Sequence, residues 1–150
     1  MSKTGIFAGA LGAVTMSMIM ALARAIGAPI NLEMLLGTMV TRTIGSAAWL
    51  LGFTMHVAVG AMFGAVYAWL LSWLRVRIGA VSGMWIGLIH AAIVGVALLL
   101  LPAIHPLMPE LYPAPGPLFL YQGLTAVIVF IGVHLIYGAI VGAMVARARR

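Results

Sequence analysis

Four long apolar runs dominate this sequence, and they limit what the chain can fold into. They cover residues 5–23, 45–74, 79–101 and 118–146. Each is near or above the length of about 20 residues that a helix needs to cross a hydrocarbon layer about 30 Å thick. Only 7% of the residues are charged, against about 25% in soluble domains. We therefore predict an all-α integral membrane protein, a four-helix bundle forming a single transmembrane domain over residues 1–150, with the lipid bilayer as its first partner.

The basic residues gather at one set of helix ends. In a four-span arrangement most of them lie on one side of the membrane: Lys3, Arg75, Arg77, Arg147, Arg149 and Arg150. Arg24 and Arg42 lie on the other side. Because the cytoplasmic loops of membrane proteins carry the excess of lysine and arginine, both termini are predicted to be cytoplasmic. The scattered placement, with no aromatic residues interleaved on a folded face, argues against nucleic-acid binding.

The second half of the sequence repeats the first half without a gap. The following residues are related by a shift of 78 positions: Gly5 and Gly83, Gly9 and Gly87, His56 and His134, Gly60 and Gly138, Gly64 and Gly142. The pattern predicts two tandem helical hairpins, residues 1–78 and 79–150, with the same orientation and a pseudo-twofold axis along the membrane normal. It also pairs run 5–23 with run 79–101, which favours retention of the first run over its cleavage as a signal peptide.

Small residues recur at every fourth position on each predicted helix. In lipid no hydrophobic force draws helices together, so close backbone contact through small residues has to do so. We therefore predict that the repeated glycines pack the bundle. These helix-packing residues are Gly5, Gly9, Gly60, Gly64, Gly83, Gly87, Gly138 and Gly142.

His56, His90 and His134 each lie about eleven residues from an end of their apolar run. At about 1.5 Å of rise per residue this places all three near the centre of the bilayer. Ionisable residues are rare there, face the bundle interior and mark functional sites by default. His56 and His134 occupy equivalent positions of the repeat and are expected at equal depth.

The sequence leaves several roles open for these histidines. Each neutral imidazole would form an interhelical hydrogen bond in the simplest interpretation. In a second, His56, His90 and His134 form a cofactor site, in which two histidines on paired helices are axial ligands of a haem or single histidines are ligands of a chlorophyll-type pigment. In a third they line a path for protons, an ion or a small solute. A three-histidine metal site is the last alternative.

The two connections on the predicted outer side differ in character. In residues 26–44, Asn31 is expected to cap a short helix lying on the membrane surface, with Glu33 in its first turn. Residues 102–117 hold six of the seven prolines, which predicts a stiff, non-helical lid. Within it, His105, Met108 and Glu110 form a weak candidate metal site for a soft or borderline ion such as copper.

Signals for catalysis are absent from the sequence. Cysteine is missing, which removes disulfides, thiolate metal sites and cysteine nucleophiles. No carboxylate lies inside an apolar run, and no phosphate loop or dinucleotide fingerprint is present. Thr15, Ser17, Thr54 and Thr125 have no recognisable acid or base partner by spacing. We therefore predict that the chain is not an enzyme.

Several motifs together resemble a known group of proteins. They are Gly5/Gly9 and Gly83/Gly87, His56-x-x-x-Gly60 running into Tyr67, His105-Pro106, and His134-Leu-Ile-Tyr137-Gly138. In these the chain resembles the YagU-like proteins, small four-span bacterial inner-membrane proteins of unknown function. The resemblance implies four helices and a location in the bacterial inner membrane, and it transfers no catalytic residue.

The leading hypothesis for function follows from the small size and the near lack of mass outside the membrane. It is a non-enzymatic membrane protein that works by association, as an oligomer or as an accessory subunit of a larger membrane complex. Its partners are then other membrane-protein subunits or further copies of itself. The alternative is a small transporter, or a proton- or ion-conducting protein, that uses the central histidines.

Overall fold

The computed structural model describes residues 3–74 and 78–149, where the chain is helical throughout apart from its connections. Arg75, Arg77 and Arg150, which contribute to the predicted charge asymmetry, lie outside the described residues. Four helices are long and apolar enough to cross a membrane. Their bounds are α1 Lys3–Ala25, α3 Ser46–Trp73, the span Ala80–Ile104 and α6 Leu124–Arg147, and a shorter helix, α2 Leu32–Thr41, follows α1. The described residues thus confirm an all-α fold with four helices that are long and apolar enough to span a membrane.

The third span is built from three consecutive helical segments. These are α4 Ala80–Ala97, a 3-10 turn Leu98–Leu100 and α5 Leu101–Ile104. The span passes through Pro102, where the sequence predicted its end, because Pro102 lies in the first turn of α5 and no helical partner is needed there for its missing N–H.

Residues 105–116, the middle of the predicted lid, are non-helical as predicted, but the fourth span begins later than residue 118, its predicted start. A 3-10 helix, Pro117–Gln122, precedes α6, and the fourth span begins at Leu124. Leu118 and Phe119 have left-handed backbones inside this 3-10 helix. Phe119 is buried, with its ring centroid 5.5 Å from that of Phe130 of α6. This contact holds the 3-10 helix against α6.

The long helices pack as two close pairs, α1 with α3 and α4 with α6. Gly9 lies against the backbone of Gly60 and Gly64, and Gly83 lies against the backbone of Gly138 and Gly142. A methyl group added at seven of the eight predicted packing glycines would collide with backbone of the partner segment, and at Gly60 it would collide with the side chain of Ala13. Backbone contact this close is the means by which helices associate in a membrane.

The two pairs differ in register by one helical turn. Gly64 lies against Gly5 and Gly9, whereas Gly142, the equivalent residue of the predicted repeat, lies against Gly79 and Gly83. A strict repeat would place Gly142 against Gly83 and Gly87. The second pair has therefore slid by four residues, or about 6 Å.

The packing between the two pairs is also unequal. Helix α1 packs extensively against α6, whereas α3 and α4 make only sparse contact. A twofold axis would make these two contacts equivalent, so the contacts between the halves do not follow the predicted symmetry. The unequal packing leaves an opening between α3 and α4.

Helix α2 does not lie flat across the end of the bundle. Gly37 packs on the backbone of Ala48, and Gly52 of α3 packs on the backbone of Glu33. As α2 advances from residue 33 to 37, its contacts on α3 move back from 52 to 48, so α2 runs antiparallel along α3. The predicted cap is confirmed, since the Asn31 side chain accepts from the Met34 N–H at 3.1 Å. The predicted surface-lying orientation is wrong, because the glycine contacts align the two helix axes.

Candidate functional site

A cavity of about 140 Å³ lies where α3 and α4 separate. We call it the histidine cleft. Its polar and aromatic lining consists of His56, Gly60 and Phe63 of α3, His90 of α4, and His134 and Tyr137 of α6. Leu32 and Leu36 of α2 line the same cavity. The three histidines predicted as a cofactor site thus meet in one place, brought there by three different helices.

The His56 ring is anchored by a hydrogen bond to α1. Its Nδ1 lies 3.0 Å from the hydroxyl oxygen of Ser17. Ser17 is 3% exposed, and His56 is the hydrogen-bond partner of its hydroxyl among the described residues. A buried hydroxyl proton needs an acceptor, so Ser17 donates to Nδ1. The neutral ring then carries its proton on Nε2.

His90 is held in the same way by Tyr67. The Tyr67 hydroxyl oxygen lies 3.0 Å from Nδ1 of His90, and Tyr67 is 2% exposed. By the same argument Tyr67 donates to Nδ1, and His90 carries its proton on Nε2. The ring of Phe63 packs on His90 with 4.2 Å between the centroids. The Tyr67 bond is a direct polar link between α3 and α4.

His134 has the opposite tautomer. Its Nδ1 lies 2.7 Å from the carbonyl oxygen of Phe130 in the same helix. A carbonyl oxygen only accepts, so Nδ1 carries the proton and Nε2 has a free lone pair. The ring stands edge-to-face against His90, with 5.2 Å between the centroids and 89° between the planes.

The Nε2 atoms of His56, His90 and His134 have no hydrogen-bond partner among residues 3–74 and 78–149. None of the three atoms belongs to the fully buried polar atoms that lack a partner. All three rings line the cavity, and from this we infer that the three atoms are accessible from it. The histidine cleft therefore presents two N–H donors and one nitrogen acceptor inside an otherwise apolar wall.

Tyr137 completes the floor of the cleft. Its hydroxyl donates to the Gly60 carbonyl oxygen at 2.6 Å, and its ring packs where a side chain at Gly12 of α1 would stand. Sequence reasoning missed Tyr137, Tyr67 and Ser17 as parts of the site. The spacing of three residues from His134 to Tyr137 was the available signal, because residues three apart share a helix face.

The geometry of the cleft bears on the cofactor and metal hypotheses. The ring-to-ring contact of His90 with His134 leaves no gap in which a flat macrocycle would lie between them. The cavity of about 140 Å³ is also well below the about 300–1,000 Å³ of ordinary small-molecule sites. The arrangement therefore does not fit a haem or a chlorophyll-type pigment. Among the described residues, no group of three or more His, Asp or Glu side chains is placed to hold a metal ion.

His105 of the lid has a structural set of contacts. Its Nδ1 accepts from the Leu107 N–H at 3.2 Å, and its Nε2 lies 3.1 Å from the carbonyl oxygen of Leu35. Both ring nitrogens are thus engaged, and the second contact ties the lid to α2. Met108 is buried, whereas Glu110 is exposed. Metal binding by these residues stays a prediction, and it would require His105 to give up one of these hydrogen bonds.

A buried ion pair lies near the cleft. Glu33 is fully buried, and its Oε2 accepts from Arg24 at 3.0 Å. Oε1 of Glu33 has no hydrogen-bond partner in the described part of the chain. Tyr112 of the lid donates its hydroxyl to the Asn31 carbonyl oxygen at 3.4 Å, and burial raises the pKa of Tyr112, which keeps the hydroxyl protonated. Sequence reasoning missed the ion pair because it placed Glu33 on the membrane surface.

Comparison with known proteins gives no match. No protein-family model matches the chain, and neither a curated protein nor a solved structure matches it. The resemblance to the YagU-like proteins therefore stays a prediction.

Proposed function

We propose that the chain is a non-enzymatic integral membrane protein that holds a small lipophilic ligand in the histidine cleft. The observation that carries this proposal is the convergence of three imidazoles on one cavity, each anchored at Nδ1 and each with an Nε2 that has no hydrogen-bond partner among the described residues. Their anchors, Ser17, Tyr67 and the Phe130 carbonyl, orient the rings from outside the cavity.

The energetics support a ligand over simple packing. An unpaired polar group inside an apolar region costs about 1–3 kcal/mol. Three unpaired Nε2 atoms in one cleft would lower the stability of the bundle by several such costs. The glycines already supply close packing, so packing does not require these histidines. A ligand that bonds these atoms removes the penalty. Neutral rings suit such a site, because a charged side chain near the bilayer centre costs at least about 2.5 kcal/mol.

The cleft has a route for a ligand that arrives from lipid. Val59 of α3 is 44% exposed, and Val94 of α4 is half-buried. Both line the cavity, and α3 and α4 make only sparse contact with each other. A ligand would enter sideways between these two helices, out of the hydrocarbon layer.

The proposed duplication, location and topology of the protein are those that the sequence predicts. We propose two duplicated hairpins in the bacterial inner membrane, with both termini cytoplasmic. The common glycine contacts of the two helix pairs support the duplication. The protein works as an oligomer or as an accessory subunit of a larger membrane complex. The short connections, which leave little mass outside the spans, support this role.

The experiment is native mass spectrometry of the full chain purified in mild detergent, followed by analysis of its organic extract. We expect a small lipophilic molecule bound at up to one per chain. His90→Ala should reduce its occupancy. Thr54→Ala is the matched control, because Thr54 is an exposed residue of α3 bonded only to its own helix at Leu50. A wild-type protein free of any such molecule, and unable to take one up, would contradict the proposal.

The alternative function, a small transporter or proton-conducting protein, uses the same cleft. The buried carboxylate of Glu33 supports it, because Oε1 has no hydrogen-bond partner in the described residues and Leu32 and Leu36 of the same helix line the cleft. Proteoliposomes with an internal pH-sensitive dye test it. A proton flux lost in His56→Ala, His90→Ala and His134→Ala, and kept in Thr54→Ala, would establish the alternative. No flux above protein-free vesicles is expected if the cleft only holds a ligand.

A further inference from the structure

We infer that the ligand of the histidine cleft is an isoprenoid quinone, bound in the cleft by its ring while its tail lies in the lipid. The inference rests on the proposed function, and it names the class of molecule that the cleft would take. Four features of the cleft lead to it: its hydrogen-bonding pattern, its neutrality, its size and its lateral opening.

The hydrogen-bonding pattern suits a head group whose oxygen atoms accept two hydrogen bonds and, in the reduced form, also donate one. His56 and His90 each present an N–H at Nε2, as their contacts with Ser17 and Tyr67 require. His134 presents a lone pair at Nε2, as its contact with Phe130 requires. A carbonyl oxygen accepts from the two donors. A hydroxyl group donates to the acceptor, so both a quinone and its quinol find partners.

The cleft also selects for an uncharged head group. Among the residues that the structure describes, none with a carboxylate, lysine or arginine side chain lines the cleft. The nearby Glu33 is already paired with Arg24, so this pair adds no net charge. An anionic or cationic head group would lose its hydration without gaining an opposite charge, which is costly in a low-dielectric site. Phospholipid head groups are therefore disfavoured, and neutral lipids are favoured.

The size of the cleft matches one ring. A cavity of about 140 Å³ is close to the engineered apolar cavity of about 150 Å³ in another protein that binds benzene. One six-membered ring would therefore fill it. Phe63 and Tyr137 in the wall supply aromatic surfaces for contact with such a ring.

The lateral opening accounts for the rest of the molecule. The exposed Val59 and the half-buried Val94 border the gap between α3 and α4. An isoprenoid tail attached to the ring would leave through this gap into the hydrocarbon layer. The tail then needs no cavity of its own, which agrees with the small volume of the cleft.

Equilibrium dialysis of the full chain in detergent tests this inference with three ligands of equal tail length. They are a benzoquinone with one isoprene unit, its quinol kept reduced by dithionite, and a plain benzene ring with the same tail. The chain has no cysteine, so the reductant leaves its covalent structure unchanged. Two hydrogen bonds to the ring oxygens should make the quinone bind about tenfold more tightly than the hydrocarbon.

The histidine variants give a signature that packing alone would not. His90→Phe should weaken quinone binding by about three- to tenfold, and His90→Gln, which keeps an N–H donor, should recover part of the loss. His134→Phe should weaken binding of the quinol more than that of the quinone, because only the quinol donates to Nε2. Thr54→Ala should leave all three affinities unchanged. Thermal unfolding of each variant identifies any that does not fold, and the Gln variant then carries the test.

The outcomes separate this inference from the proposed function. Equal binding of the three ligands would overturn the quinone inference, and the proposed function would still stand if His90→Ala lowers the occupancy of the molecule that copurifies with the protein. Tighter binding of a phenol with the same tail would also overturn it, in favour of lipids with a single hydroxyl. If none of the ligands binds and no lipophilic molecule copurifies, the proposed function fails as well.

Discussion

Tyr67 of α3 donates its hydroxyl to Nδ1 of His90 of α4 across 3.0 Å, joining two helices that otherwise make only sparse contact. The bond has two consequences. It holds the imidazole toward the cleft, and it bridges the gap through which we propose that a ligand enters. Much of the site therefore depends on one hydroxyl group.

Removal of this hydroxyl is the first test. Tyr67→Phe should keep the fold, because the ring still packs edge-to-face on Tyr137 at 5.3 Å. Interhelical hydrogen bonds in membrane proteins average about 0.6 kcal/mol and reach about 1.7, so we expect a loss of unfolding free energy in this range. Steric-trapping or denaturant unfolding in micelles measures it. Tyr121→Phe is the control, since Tyr121 is 70% exposed, and an equal loss there would contradict the assignment.

The tautomers of the three histidines are the second prediction. His134 should carry its proton on Nδ1, whereas His56 and His90 should carry theirs on Nε2, because of the groups that each Nδ1 contacts. Solid-state NMR of the protein with 15N-labelled histidine in bilayers distinguishes the two forms by chemical shift. The Tyr67→Phe variant assigns His90, as its Nδ1 signal alone should move. A uniform tautomer at all three rings would refute the hydrogen-bond pattern.

The third prediction concerns the close contact of α1 with α3. Gly9→Ala should destabilise the bundle by about 1–3 kcal/mol, because the new methyl group meets the backbone of Gly60 and Gly64. Gly132→Ala in α6 is the matched control: a side chain there meets nothing. It should be neutral or stabilising by up to about 1 kcal/mol, since alanine is the better helix former. Similar melting temperatures for the two variants would argue against glycine-mediated packing.

The buried ion pair supplies the fourth prediction. Arg24→Gln leaves the Glu33 carboxylate buried without its partner, which costs about 3 kcal/mol or more. The double variant Arg24→Gln with Glu33→Gln removes the charge and should recover part of that loss. Arg42→Gln, at an exposed position, should change the stability little. Thermal unfolding in detergent compares the four proteins, and a double variant no more stable than Arg24→Gln alone would contradict this account.

The fifth prediction is the orientation in the membrane, and the absence of cysteine makes it simple to test. Thr43→Cys and Glu110→Cys introduce thiols at exposed positions of the two connections. A membrane-impermeant maleimide should label both in intact cells. Ala148→Cys, at the exposed end of the chain beyond α6, should react only after lysis. The reverse pattern would invert the proposed topology.

The spans were predictable because hydropathy is a local property. Runs of apolar residues predicted α3 to within one residue at each end and α1 to within two, but they placed the start of α6 six residues too early. The third span was predicted to end before Pro102. It continues to Ile104, because a proline is tolerated in the first turn of α5. The 3-10 helix before α6 was missed because Leu118 and Phe119 adopt left-handed backbones that side chains rarely take.

The placement of α2 was not predictable from its own residues. Its mixed apolar composition suits either a membrane surface or a contact with another helix. The contacts of Gly37 with Ala48, and of Gly52 with Glu33, show that α2 packs against another helix, α3. Both are non-local, so no pattern within residues 32–41 contains them.

The sequence by itself determined that four apolar helices are present, that glycines recur along each, and that three histidines lie in the middle of their spans. These are positions along a helix axis, and length and composition set them. Tertiary structure alone decided which helix pairs touch, that one pair slides by a turn, and that α3 and α4 part around the three rings. The rotation of each helix about its own axis, and the register between neighbouring helices, depend on contacts between side chains that are distant in sequence. The cleft is therefore visible only in the packed bundle.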